Sequence, residues 1–483
     1  PIQDLASKVE EKLEVSKDLI IEGISSLIQL EEIIKEEQMV WIKPLFLMET
    51  GIAREMMRLR QHPRRIREVQ IDKALTWVQK KLLINLAEEQ LTAVACGLKA
   101  KTLIITGGPG TGKSTITKAI LTITERIANQ IVLAAPTGRA AKRMSEITGK
   151  KASTIHSLLE MDFKIGKFKR NKENPICCDL LIIDEASMID TQLMYNLLKA
   201  VPDDARIILI GDIDQLPSIG PGNVLKDLIA SERISVTELK KIFRQGAGSL
   251  IVTNAHRINQ GQFPDISYHP RSDFQFIEKE DPQDVIDTIV NLIGNQLPKA
   301  YRFHRFDDIQ VLSPMKRGLI GSENLNVVLQ QKLNPSPTAL HRMGRSFQIG
   351  DKVMQIRNNY EKEVYNGDVG KITEIDLTEQ TLKVVFDLKI ISYDFTQIDE
   401  LILAYAVSIH KYQGSECPCI IIPIHTSHFK MLYRNLLYTG LTRGKKRVVF
   451  VGTKKALAIA VKNEDVLRRY TRLKQIIQKL IQV

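Results

Sequence analysis

Ile104-Ile-Thr-Gly-Gly-Pro-Gly-Thr-Gly-Lys-Ser-Thr115 is the stretch from which the fold is read. A β-compatible apolar run enters a glycine-rich loop and a helix-compatible segment leaves it, the order that the phosphate-binding pattern G-x-x-x-x-G-K-[ST] requires. Gly107, Gly108, Gly110 and Gly112 carry no Cβ, so backbone N–H groups can turn inward and approach phosphate oxygens closely. Lys113 is spaced to reach the β- and γ-phosphates and Ser114 to offer a hydroxyl to Mg²⁺. The helix starting near Lys113 aims its positive end at the same anion. Gly108, Gly110, Thr111, Gly112, Lys113, Ser114 and Thr115 are therefore candidates to bind a nucleoside triphosphate, ATP, with its Mg²⁺.

Outward from this loop, short apolar runs at 103–106, 131–134, 180–183 and 207–210 alternate with helical patterns between about 85 and 255. That alternation predicts a parallel sheet flanked by helices, an α/β fold. Runs at 309–312, 419–424 and 448–451 predict a second sheet of the same kind. Residues 345–397 differ: Val353, Gln355, Val369, Lys371, Thr373, Leu382, Val384 and Phe386 alternate around the turn Asn366-Gly367, which reads as a small all-β insertion. The first 70 residues are rich in Leu, Ile, Glu and Lys, with Ile20, Ile21, Ile24, Leu27, Ile28 and Leu30 near helical spacing. Arg54, Arg58, Arg60, Arg64, Arg65 and Arg67 close that module around Pro63, as a solvated helix face or a nucleic-acid contact. Leu467, Leu473, Ile476, Ile477 and Leu480 predict a closing helix within 456–483. The expected division is a helical module over 1–84, a first parallel-sheet domain over 85–255, a second over 256–344 and 398–483, and the insertion over 345–397.

The 483 residues are 43% hydrophobic, enough for several buried cores and incompatible with a disordered chain. A formal net charge of +12 favours a polyanionic partner such as nucleic acid over an acidic small substrate. Cys96, Cys177, Cys178, Cys417 and Cys419 are an odd number in a long chain and do not read as a disulfide framework, so a reducing, cytoplasmic setting is expected. Cys417-Pro-Cys419 lacks a companion pair at zinc spacing and reads as buried small hydrophobes. No apolar stretch reaches the roughly 18 residues of a membrane span, and no charged-then-apolar leader is present at the N-terminus. A chain that begins at Pro1 rather than Met is expected to lack part of its natural N-terminus.

Two further strand ends carry chemistry. Leu180-Leu-Ile-Ile-Asp184-Glu185 finishes a buried strand in two carboxylates, placing Asp184 beside a metal and Glu185 beside an attacking water. Gly211-Asp-Ile-Asp-Gln215 ends the next strand in a Gln able to orient water or sense a γ-phosphate.

Together these motifs resemble the superfamily 1 DNA helicases, and most of all the RecD-like branch of recombination and repair helicases, over about residues 40–455. The resemblance is carried by the phosphate loop, Asp184-Glu185, Glu89-Gln90, Ala135-Pro-Thr-Gly-Arg-Ala-Ala-Lys-Arg-Met144, Ser153-Thr-Ile-His156, Gly211 to Pro217, Gly220-Pro-Gly222 and Phe243-Arg244-Gln245. Leu312-Ser-Pro-Met-Lys-Arg-Gly318, Tyr405 to Glu416 and Tyr438-Thr-Gly-Leu-Thr-Arg443-Gly extend it. It implies two RecA-like lobes, an SH3-like β insertion and ATP-driven 5′-to-3′ travel on single-stranded DNA. It also implies that Gln90 reads adenine, that Arg244 and Arg443 are arginine fingers, and that Gln413, Gly414 and Glu416 line the cleft. An always-charged, bidentate Arg suits phosphate oxygens where water is excluded.

The same resemblance makes Pro136, Thr137, Arg139, Thr154, His156, His410 and Lys411 DNA contacts, a mixture of donors suited to one strand's phosphates. Structural roles for His156 and His410 stay open. No base-reading set is apparent, so little sequence preference and strong salt dependence are expected. A short hairpin near 160–172, turning at Gly166, resembles the pin that splits duplex at a single-strand/double-strand junction; a basic surface loop is its alternative. Two rival readings share the nucleotide residues: a DNA-stimulated ATPase or translocase that does not unwind, and a motor subunit working beside nuclease and helicase subunits. The large N-terminal extension with helix-hairpin-helix elements of the longest RecD-like relatives is not among these residues, so either a short branch or a shortened chain is expected.

Overall fold

The computed structural model describes residues 1–63, 66–162, 165–241, 248–267, 272–336, 339–342, 344–359, 361–387, 389–464 and 469–480. The strand Thr102–Gly107, which feeds the phosphate loop, lies inside a six-stranded parallel sheet. In spatial order the strands are Ser235–Leu239, Thr102–Gly107, Arg206–Gly211, Leu180–Ile183, Ile131–Ala135 and Ala152–Thr154. Successive side chains of a strand point to opposite faces, and here both faces are covered. Leu103, Ile105, Leu180, Ile182, Ile208 and Ile210 pack on one side with residues of helices Glu88–Lys99 and Lys113–Thr124. Ile104, Leu181, Ile183, Ile207 and Leu209 pack on the other with Lys43–Gln61 and Thr191–Ala200. Burial on both faces is why these strands read as unbroken apolar runs.

A second parallel sheet of five strands follows the same logic, in the order Phe274–Glu278, Gly444–Gly452, Cys417–Ile424, Ile309–Ser313 and Ala406–Ser408. The two-lobed α/β architecture expected from the alternating runs is therefore present. Between Ile309–Ser313 and Ala406–Ser408 the chain detours through a five-stranded antiparallel sheet: Lys389–Asp394, Thr381–Phe386, Val369–Asp376, Lys352–Gln355 and Leu401–Leu403. Its core is Phe347, Val353, Ile372, Leu382, Val384, Tyr393 and Leu401. Gly367, at φ +98°, makes the turn that precedes Val369–Asp376, a conformation that favours glycine.

The N-terminal module begins with helices Ile2–Leu13 and Lys17–Gln29, then a hairpin of Ile33–Glu36 and Met39–Ile42 that helical periodicity did not announce. Helix Lys43–Gln61 ties the module to the first lobe. Arg58 reaches the carbonyls of Leu198 and Val201 (both 2.9 Å) and the carboxylate of Asp203, and Arg60 donates to Arg233 O (2.9 Å). These two arginines of the basic cluster are thus fasteners, whereas Arg64 and Arg65 lie outside the described residues. The C-terminal helix Leu473–Leu480 packs back on Lys43–Gln61 and Val224–Ala230; Leu467 lies outside the described residues. Among the described residues, no helix is long and apolar enough to cross a membrane.

Candidate functional site

In a parallel sheet all strands finish at one edge, so the phosphate loop, the Asp184-Glu185 pair and the segment 212–215 emerge side by side. They open into a cavity of about 500 Å³ between the lobes. Of the nucleotide-site candidates, Gln90, Gly108, Gly110, Thr111, Gly112, Lys113, Ser114, Thr115, Asp184, Glu185, Gln215, Glu416 and Arg443 line it. Gln413 and Gly414 do not: Gln413 Nε2 donates to Leu216 O (3.0 Å) at the buried contact between lobes, and Gly414 faces Thr137. Arg244 lies outside the described residues.

Glycine is required where the loop turns. Gly110 and Gly112 sit at φ +75° and +90°, and a Cβ on Gly112 would stand 2.2 Å from Gln90 Nε2. Gln90 is buried and oriented from both ends, accepting from Ala87 N (3.1 Å) and donating to Thr111 O (3.1 Å). Lys113 begins helix Lys113–Thr124 and is held by the carbonyls of Gly107 (2.5 Å) and Gly108 (2.9 Å).

Asp184 is half-buried in the cavity wall, and burial first, then the neighbouring Glu185 charge, raises its pKa; Arg143 and Lys113 pull the other way. Glu185 stands in the left-handed region (φ 52°), an uncommon place for a residue with a side chain, and its N–H donates to Asp184 Oδ1 (2.8 Å). The Asp184 carboxylate and the Ser114 hydroxyl on one wall of a cavity are hard oxygen donors that fit Mg²⁺. Among the described residues no cluster of three His, Cys, Asp or Glu forms, so an ion at this wall would depend on phosphate oxygens and water for the rest of its shell.

The opposite wall comes from the second lobe. Arg443 is 3% exposed; its Nη2 donates to Gln215 Oε1 (2.7 Å) and its Nη1 lies 3.7 Å from Glu185 Oε1. Three residues not singled out from the sequence complete the joint. Tyr438 Oη donates to Asp212 Oδ2 (2.9 Å), the acceptor that also holds Gln215 Nε2 (3.1 Å), and Thr439 Oγ1 accepts from Leu216 N (2.9 Å). Arg143 pairs with Glu416 at 2.6 Å, so Glu416 is bound to the first lobe as well as lining the cavity. Their partners lie hundreds of residues away in the chain, and only a buried Tyr or Thr beside the arginine motif hinted at such a role.

The DNA candidates gather at neighbouring loop ends. Ala135 and Thr154 are paired in register, so Pro136-Thr137 and the His156 turn leave the sheet together. Thr137 and Thr154 cap the helices that follow, accepting from Ala140 N (3.3 Å) and Ser157 N (3.1 Å). Arg139 donates to Ser415 Oγ (2.7 Å) and lies over the Tyr412 ring, so in this conformation it joins the lobes. His156 lies beside the Phe168 ring at the base of the short hairpin Met161–Asp162/Lys167–Phe168, and His410 Nε2 is 3.2 Å from Tyr433 Oη. Burial lowers the pKa of both imidazoles and of Lys411, which lines a separate cavity of about 870 Å³ against the β insertion. Phe163 and Lys164, in the proposed pin, lie outside the described residues.

Three family models match the chain: an AAA domain over residues 90–221, the SH3 domain of ATP-dependent RecD-like DNA helicases over 325–386, and a UvrD-like helicase C-terminal domain over 403–451. The chain is 35% identical over 399 residues to the ATP-dependent RecD2 DNA helicase of Deinococcus radiodurans, covering 83% of this chain and 53% of that protein. It is 27% identical over 417 residues to the RecBCD enzyme subunit RecD of Mycolicibacterium smegmatis, covering 78% of this chain and 73% of that one. It thus spans about half the length of the first relative. The Pif1 helicase of Bacteroides, solved with ADP-AlF3 and ssDNA, aligns at 21% identity and a TM-score of 0.49 over 76% of this chain and 92% of its own, a likeness too loose to bear on function.

Proposed function

We propose, from the premise that this chain belongs to the RecD-like branch of superfamily 1 helicases, that it is a cytoplasmic ATP-dependent DNA helicase of recombination or repair. In this reading it moves 5′-to-3′ on single-stranded DNA and separates duplex ahead of it. The observation that carries the reading is the reach of Arg443 from the second lobe to Gln215 and Glu185 beside the phosphate loop. Such a joint exists only when the lobes are together, which makes nucleotide chemistry and lobe position one event. The working units are the lobes over 85–255 and over 256–344 with 398–483, the module over 1–84 and the insertion over 345–397.

In this mechanism Gln90 selects the base and the loop from Gly108 to Thr115 cradles the phosphates through inward N–H groups. Ser114 and Asp184 would hold Mg²⁺, which when bound neutralises charge on the β- and γ-phosphate oxygens. Lys113 exchanges its loop carbonyls for phosphate oxygens. Glu185 orients the attacking water and takes its proton. Arg443, joined by Arg244, stabilises charge on the transferred group, and Gln215 reports its presence to the second lobe. On release the lobes part and step along the strand held by Pro136, Thr137, Arg139, Thr154, His156, His410 and Lys411. Duplex separation costs on the order of 1.4 kcal/mol per base-pair step, so the hairpin divides strands while ATP drives the motion.

The similarity to a RecBCD subunit over most of that subunit's length favours one second reading, a motor that works among nuclease and helicase subunits and unwinds weakly alone. The first test is ATP hydrolysis with single-stranded DNA, blunt duplex or no DNA. Strong stimulation by single strands is expected. Equal rates in all three would remove the basis of the proposal.

A further inference from the structure

The chain leaves the second lobe through helix Lys454–Lys462, yet residues 469–480 lie against the first lobe and the N-terminal module. Two residues of this return segment fasten it to the module: Tyr470 donates to Asp4, Arg472 pairs with Glu36 and Glu37, and Arg472 N donates to Glu49 Oε2 (3.1 Å). Arg469 faces elsewhere. Its guanidinium meets the loop that continues from Gln215, with Nη2 donating to Ser218 O (2.5 Å) and Nη1 within reach of Gly220 O (2.5 Å), Gly222 O (2.7 Å) and Ser218 Oγ (3.2 Å). Three carbonyls converge on one cation. A planar fork of five N–H groups can serve such a convergence, and a single ammonium serves it less well.

From its other side the same loop lies flush on the start of helix Thr191–Ala200. A Cβ on Gly220 would come 2.1 Å from Asp190 Oδ2, and one on Gly222 (φ +97°) would come 2.0 Å from Thr191 Oγ1. Thr191 N donates to Pro221 O (3.0 Å). The loop is thus clamped between that helix and Arg469. At its upstream end Leu216 gives its N–H and carbonyl to Thr439 and Gln413 of the second lobe, and Gln215 meets Arg443.

We infer that Arg469 is a positioning residue for ATP hydrolysis: by gathering the carbonyls of Ser218, Gly220 and Gly222 it fixes the loop on which Gln215 meets Arg443. The inference rests on the reading of the inter-lobe cavity as a nucleoside triphosphatase site and adds a residue that never touches nucleotide.

The test uses the full chain with Arg469→Ala, Arg469→Lys, Gln215→Ala, the double variant Arg469→Ala/Gln215→Ala, Lys113→Ala and, as a neighbour control, Tyr470→Phe. Single-strand-stimulated hydrolysis is followed against ATP concentration, with melting temperature alongside. Arg469→Ala is expected to lower kcat about tenfold with KM within about twofold, Arg469→Lys to recover part of the loss, and Tyr470→Phe to match the unaltered chain. The double variant is expected to be no slower than Gln215→Ala, because both changes act through one loop. Unchanged kcat in Arg469→Ala, or losses that multiply in the double variant, overturns the inference. Should Arg469→Ala not fold, Arg469→Lys carries the same criteria. Undiminished hydrolysis in Lys113→Ala would instead overturn the nucleotide-site reading itself, so the two failures are distinguishable.

Discussion

Arg443 Nη2 donates a 2.7 Å hydrogen bond to Gln215 Oε1, joining the turn after helix Arg434–Leu441 of one lobe to the strand-end loop of the other at a site almost sealed from water. Arg443 also reaches toward Glu185, so one guanidinium faces both the side chain proposed to sense the γ-phosphate and the one proposed to orient water. Removing it is expected to lower kcat by about 10²-fold or more while ATP still binds. Steady-state hydrolysis with fluorescent-nucleotide binding in Arg443→Ala checks this; a loss of binding with kcat intact would place Arg443 in substrate capture.

The two halves of the first-lobe wall are expected to separate by function. Lys113→Ala should abolish turnover because no other cation springs from the phosphate loop, whereas Glu185→Gln should retain nucleotide affinity and stop hydrolysis. Single-turnover hydrolysis and equilibrium binding on the same samples distinguish the two. Rapid hydrolysis by Glu185→Gln would move the general base elsewhere.

Stability is expected to carry a pH signature from Glu49. Burial raises its pKa from 4.5 to about 7, against the opposing hydrogen bond from Arg472 N. Between those values the folded chain keeps a proton that the unfolded chain has lost, so this contribution is full below about pH 4.5, falls as pH rises and is gone above about pH 7. Its full size is on the order of 3 kcal/mol. Urea denaturation of Glu49→Gln should show a chain more stable than the unaltered one at pH 8 and about equal to it at pH 5. The same difference at both values would contradict the assignment.

Binding to single-stranded DNA is expected to weaken steeply with salt and to vary little with sequence, since the candidate contacts are phosphate donors and capped loop ends rather than base readers. Titrations of dT and mixed-sequence oligomers at several salt concentrations check both points, and a strong preference for one sequence would contradict them.

Much of the fold was legible because burial on both faces of a parallel strand leaves a continuous apolar signature, as in Leu180–Ile183 and Arg206–Gly211. The phosphate loop was legible because glycine at Gly110 and Gly112 answers a backbone demand that sequence displays directly. The hairpin at 33–42 was not, because its strands are four residues each and its turn places Glu37, not glycine, at positive φ. The joint between lobes was only half legible. Arg443 and Gln215 stand in recognisable motifs with readable roles; Tyr438, Thr439 and Arg143 stand in motifs too, but they and Arg469 acquire partners only when distant segments meet, and no local spacing names those partners. Gln413 shows the converse: a cleft residue by resemblance, it spends its amide on Leu216 O.

The central claim is a polar motor that separates strands, and the most direct measurement is ATP-dependent unwinding of matched duplexes bearing a 5′ tail, a 3′ tail or none. The account predicts unwinding of the 5′-tailed duplex alone, lost in Lys113→Ala. Preferential unwinding of the 3′-tailed duplex would contradict the polarity, and brisk single-strand-stimulated hydrolysis with no unwinding of any substrate would contradict the claim that this chain is by itself a helicase.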